Sequence, residues 1–147
     1  MTILVDLMPT ERPNLITLVN KAGINIENWT NSGYNRYDWS FCGPNDVVVI
    51  CLWHNNLGIS NEHIIFQNID FNHLENITKG GRFGRCLKMR EAVENTFYKK
   101  LQLRVVIGLT LDGSYKTVDK RVLDPVPWRV ENFDINTGNC TLKRGIC

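Results

Sequence analysis

Apolar residues at Leu15, Leu18, Val19 and Ala22 fall at helical spacing and predict a first helix. Thr10 is placed to cap it, Glu11 suits its first turn, and Pro13 is tolerated that early. Gly23 stands where a left-handed residue closes a helix. Ahead of it, M-T-I-L-V-D-L-M-P reads as a first strand. The polar, Asn-rich run 24–36 predicts a surface loop ending near Tyr34. Y-D-W-S-F then alternates, which would set Tyr37, Trp39 and Phe41 on one strand face. After a G-P-N-D turn, V-V-V-I-C-L-W-H is a near-continuous β-branched run, the pattern of a central strand covered on both sides. H-I-I-F-Q-N-I-D-F predicts a further strand.

A second helix is marked by Met89, Ala92, Val93, Thr96 and Phe97 on one face, with Lys88, Glu91 and Asn95 pointing the other way. It ends near Lys99 and Lys100, where positive charge suits the helix dipole. L-Q-L-R-V-V-I-G-L-T is a strand, 111–120 a polar loop, and 128–144 a hairpin with Gly138 in its turn. Two main helices and about six strands, interleaved, predict an α+β fold. The sheet is expected to be curved and mostly antiparallel, as in a partial barrel, within a single domain spanning 1–147.

Composition changes this picture little. The chain has 147 residues, 43% hydrophobic and 22% charged, ordinary for one globular domain with a sizeable core. No apolar run is long enough for a membrane-spanning helix, and the N-terminus lacks the basic flank of a signal peptide. Five cysteines, without a C-x-x-C pair, read as reduced thiols in a cytoplasmic protein.

Charge changes it more. Residues 79–104 hold eight basic residues against two acidic ones, leaving nine basic and thirteen acidic elsewhere. Within this segment, T-K-G-G-R-F-G-R-C-L-K-M-R at 78–90 sets Lys79, Arg82, Arg85, Lys88 and Arg90 around three glycines. The G-K-[ST] ending of a nucleotide-binding P-loop is missing. Lys79, Arg82 and Arg85 stand at a helix N-terminus, where the dipole is already positive. A phosphate would relieve that conflict, using free helix N–H groups and the arginine forks. A solvated helix face is the plainer reading of the same charges.

Other chemistry finds less support. Cys51 and His54 would point to opposite strand faces, a poor metal geometry, so no metal site or cofactor is expected. Cys86 has basic neighbours near a helix start, yet it falls on the apolar face and reads as a buried thiol. No nucleophile elbow or paired-carboxylate motif is present. Aromatic residues beside a basic rim suit inspection of a base, which makes Trp39, Trp53, Phe83, Trp128 and Arg129 candidates for a base pocket. For Phe83 the competing role is a staple on the helix entry, and for Trp128 an anchor in the core.

Two stretches together carry a resemblance: Y-D-W-S-F-C-G-P-N-D-V-V-V-I-C-L-W-H-N-N-L at 37–57 and R-V-L-D-P-V-P-W-R-V-E-N-F-D-I-N-T-G-N-C-T-L-K-R-G at 121–145. A-G-I-N-I-E-N-W at 22–29 fits the same pattern. The chain resembles the N-terminal domain of McrA-like, HNH-type restriction endonucleases, which are associated with modified cytosine. The HNH nuclease segment has no counterpart in this sequence, so catalysis does not follow from the resemblance. What it implies is a DNA-recognition module, for modified or unmodified DNA, working with a nuclease domain or subunit. The alternatives are a protein-interaction module of a defence system and a small nuclease-type enzyme.

Overall fold

The computed structural model describes residues 4–30, 32–44, 46–61, 64–77, 80–110 and 117–145. Lys79, predicted to contact phosphate, lies outside them, as does most of the loop expected at 111–120.

Helix α1 spans Leu15–Ala22. It starts a turn later than Thr10 would allow: Pro13 disfavours helical backbone at Arg12 before it, and Asn14, still extended at φ −67°, ψ 139°, takes the cap position. Gly23 closes the helix at φ 117° as expected. The N-terminal segment is a 3-10 turn at Leu4–Leu7 rather than a strand.

The strands are β1 (Ser40–Cys42), β2 (Val47–Trp53), β3 (Gly58–Ser60), β4 (Ile64–Asp70), β5 (Gln102–Thr110), β6 (Val118–Leu123), β7 (Trp128–Phe133) and β8 (Asn139–Arg144). They form one open, curved sheet in the order β1-β2-β5-β7-β8-β4-β3, with β6 also on β5. Only β2 and β5 pair in parallel; the other pairs are antiparallel. The fold is therefore α+β, with eight strands where about six were expected.

Two further helices follow β4. Helix α2 (Phe71–Ile77) was not expected, because Phe71 continues the apolar alternation of β4 into it. Helix α3 spans Gly81–Lys99. Its buried residues, Cys86, Met89, Ala92, Val93 and Thr96, follow the predicted face.

Strand β2 shows why its sequence has no polar alternation. Val48, Ile50 and Leu52 join the core under α3, while Val47 and Val49 join a second core under α1. Each such side chain, fully buried, stabilises the fold by about 1.5–3 kcal/mol relative to exposure. Regular pairing begins only at Ser40, so Trp39 and Phe41 do not share a face. Trp39 packs toward the α3 side and Phe41 toward the α1 side.

The D-P-V-P-W segment is a jog in one long path. Strand β6 pairs β5 through Val106↔Leu123, and β7 pairs it again at Leu103↔Trp128. Four residues lie between on one strand against two on the other. Pro125 and Pro127 bring no N–H groups that the interrupted ladder would leave unpaired. Asp124 stabilises the jog with a buried side chain. Its carboxylate accepts from Trp128 Nε1 at 2.7 Å, Arg144 Nε at 2.7 Å, Arg144 Nη2 at 3.0 Å and Val126 N at 3.0 Å. Strand β7 then turns away from β5 onto β8, curving the sheet around α3.

Candidate functional site

The expected basic loop before a helix is itself helical. Gly80 is the cap residue, at φ 63°, and Gly81, Arg82, Phe83 and Gly84 form the first turn of α3. Among the described residues no side chain caps this end, and no acidic residue stands in the first turn. The charge conflict read from the sequence is therefore present in the fold.

The basic residues do not form one patch. Arg90 turns toward α2, where its Nη1 lies 2.7 Å from Glu75 Oε1 in a part-buried ion pair. Its charge is neutralised locally. Arg82 is exposed on the first turn. Arg85 and Lys88 turn the other way, toward the loop before β1. The Arg85 guanidinium carbon sits 5.6 Å from the centre of the Tyr37 ring. Lys88 Nζ sits 5.9 Å from the centre of the Tyr34 ring.

The loop contributes a residue that the sequence reading missed. Arg36 also lies over Tyr37, at 5.0 Å, and donates to its hydroxyl at 2.9 Å. Two guanidinium groups thus share one ring that is itself 56% exposed. Neither has a carboxylate within ion-pair distance among the described residues. A methyl group built on Gly81 would come within 3.3 Å of Arg85 Nη2, so this pair lies beside the open start of α3.

The loop is held in this position by its own hydrogen bonds. Asp38, buried, accepts from Asn35 N at 2.9 Å, and Asn35 Oδ1 accepts from Tyr37 N at 2.8 Å. Tyr34 packs on Phe41 at 5.1 Å between ring centres. Its hydroxyl accepts from Cys42 N at 3.1 Å, which caps the edge of β1. Burial is the main cause that raises the Tyr34 hydroxyl above its ordinary pKa.

Between this loop and α3 runs a groove of about 460 Å³, lined chiefly by Tyr34, Ser40, Cys42, Lys88, Glu91 and Asn95. Burial, then the charge of Glu91, raises the Cys42 thiol pKa. Lys88, Glu91 and Asn95 lie on one stripe of α3. Toward the helix start the same stripe continues through Gly84 and Gly81. Nothing lies within 4 Å of where a Gly84 side chain would begin.

The aromatic candidates for a base pocket are not brought together. Trp128 is 2% exposed and hydrogen-bonded to Asp124, so it is a core anchor. Trp39 packs against the core under α3. Trp53 lies at the end of β2, against Gly108. Arg129 pairs with Glu131 at 2.9 Å and donates to Gly145 O at 3.0 Å. Phe83 is 39% exposed, so it is no core staple; Leu87, one turn further along α3, and Ile77, at the end of α2, are exposed as well.

Among the described residues no group of three or more His, Cys, Asp or Glu side chains could hold a metal ion. His54 is buried, with Nε2 2.7 Å from Leu4 O. None of the four described cysteines is in a disulfide. No described helix is long and apolar enough to cross a membrane. No family model, no curated protein and no solved structure matches the chain.

Proposed function

We propose that this protein is a DNA-binding module that grips the phosphate backbone with Arg36, Arg82, Arg85 and Lys88 at the open start of α3. One observation carries the reading: Arg36 and Arg85 lie over the same exposed Tyr37 ring, and neither has a carboxylate partner among the described residues. Both positive charges thus lie at one exposed ring, and a phosphate approaching it would gain charge-assisted hydrogen bonds from them. Helix N–H groups that no described side chain caps, and the open space beside Gly84, would let a backbone approach closely. Arg90, neutralised by Glu75, is left out of this set. The likeness of 37–57 and 121–145 to McrA-like endonucleases supports the same reading, with a nuclease domain or subunit as the natural partner and the cytoplasm as its place.

The test is charge reversal. Arg85→Glu should abolish the gel shift of a short duplex at low salt. Lys21→Glu, at an exposed position of α1 outside the proposed contact set, should leave it unchanged. Equal binding by both variants would reject the reading.

A second reading, a protein-docking module, is favoured by Ile77, Phe83 and Leu87, which are 58%, 39% and 41% exposed around the α2–α3 junction. It predicts that Phe83→Ala weakens partner binding without changing DNA affinity.

A further inference from the structure

We infer that the groove beside the arginine pair receives an unpaired guanine, an inference that rests on the DNA-binding reading above. Lys88 and Glu91 are three residues apart on α3 and face the same groove, a spacing at which opposite charges normally pair. They form no ion pair among the described residues; the Lys88 ammonium lies over the Tyr34 ring instead. A donor and a two-oxygen acceptor are thus left open side by side, with the Asn95 amide one turn further along.

This arrangement discriminates between parts of a nucleic acid. The Glu91 carboxylate repels phosphate, so the groove is no continuation of the arginine site. A carboxylate has two oxygens to satisfy, and both accept. Guanine is the standard base whose pairing edge offers two adjacent donors, N1–H and the N2 amine, next to an acceptor, O6. Glu91 would take the two donors and Lys88 would donate to O6. Cytosine and adenine offer a single donor group beside a ring acceptor, and thymine an imide flanked by two carbonyls. These edges are paired in a duplex and open only in an unpaired base.

The groove, about 460 Å³, falls within the ~300–1,000 Å³ range of ligand pockets and is large enough for a base. Gly84 lies about 10 Å along the helix from Glu91, at 1.5 Å per residue. That distance lets one strand lay its phosphate on the arginine pair and its base in the groove.

The test uses fluorescence anisotropy on the full chain with labelled single-stranded oligothymidines carrying one central dG, deoxyinosine, dC or dA. The dG strand should bind about tenfold more tightly than the all-dT strand, within the discrimination a bidentate pair provides. Deoxyinosine, which lacks only the N2 amine, should lose most of that gain. Glu91→Gln should remove the preference for dG, read as the ratio of dG to all-dT affinity for the same variant. Equal affinity for all five strands, or a dG preference that survives Glu91→Gln, would overturn the guanine assignment while leaving backbone binding standing. If all-dT binding itself does not respond to Arg36→Ala plus Arg85→Ala, the backbone reading fails instead.

Discussion

Arg85 of α3 and Tyr37 of the preceding loop are in contact, with the guanidinium carbon 5.6 Å from the ring centre. The contact joins a loop without regular structure to the first turns of a long helix. Because Arg36 lies over the same ring, two positive groups meet at one aromatic side chain, and neither has a carboxylate partner among the described residues. Cation–π contacts at exposed sites contribute about 0.5–1 kcal/mol each, enough to orient the side chains but not to neutralise them.

Gly84 separates stability from function. Glycine inside a helix costs about 0.5–1 kcal/mol relative to alanine, and nothing surrounds the position where a methyl would go. Gly84→Ala is expected to raise the melting temperature by about 2–4 °C. If the backbone of DNA lies against this stripe, the same substitution should weaken DNA binding. Calorimetry and anisotropy on one variant check both halves.

Asp124 is expected to be the most costly polar residue to remove. Its side chain is fully buried and holds both Trp128 and Arg144, whose side chain is 16% exposed. Asp124→Ala would leave a largely buried guanidinium without its carboxylate, a loss of about 3–5 kcal/mol by urea unfolding. Trp128→Phe removes a single hydrogen bond to that carboxylate and should cost about 1–2 kcal/mol.

The thiols should differ in reactivity. Burial pushes Cys51 and Cys140 up to about 12, and Cys86 is fully buried. Cys42 is exposed, with a thiol raised by burial and by Glu91. Among these four, only Cys42 should be alkylated in the native state, slowly at neutral pH and faster as pH rises and the thiolate forms. Glu91→Gln removes a negative neighbour, so it should lower that pKa and speed the reaction at a given pH. Peptide mapping after iodoacetamide treatment reads this directly.

Gly138 tests the hairpin. It holds φ 76°, and a methyl there would lie 2.9 Å from both Phe71 Cβ and Arg90 Cζ. Gly138→Ala is expected to destabilise by at least about 1–3 kcal/mol, measured by denaturant unfolding, because left-handed backbone strain adds to the collision.

What the sequence made legible follows from how local each signal is. The buried face of α3 and the turn at Gly138 are set by residues near one another in the chain, and both were foreseen. Helix α2 was hidden because Phe71 ends one apolar alternation and starts a helix in the same step. The start of α1 shifted because Asn14 after Pro13 competes with Thr10 for the cap. The site was half legible. Lys79, Arg82 and Arg85 stood out as charge at the wrong end of a helix, and Lys88 as part of the same basic run; Lys79 lies outside the described residues. Arg36 and Tyr37 did not, because their role depends on a loop folding back onto α3, and no local pattern encodes that contact. Trp39, Trp53 and Trp128 do not line one pocket: Trp39 and Trp128 pack into the core under α3, and Trp53 lies against Gly108 at the end of β2.

The salt dependence of DNA affinity tests the backbone grip most directly. Anisotropy titrations of one duplex between about 50 and 200 mM salt give a slope of log K against log salt of roughly −0.9 per phosphate contact. The Arg36→Ala plus Arg85→Ala variant is expected to flatten that slope by about 1.8 while keeping its fold by circular dichroism. A variant with the wild-type slope and affinity would contradict the assignment of this arginine pair to the phosphate backbone.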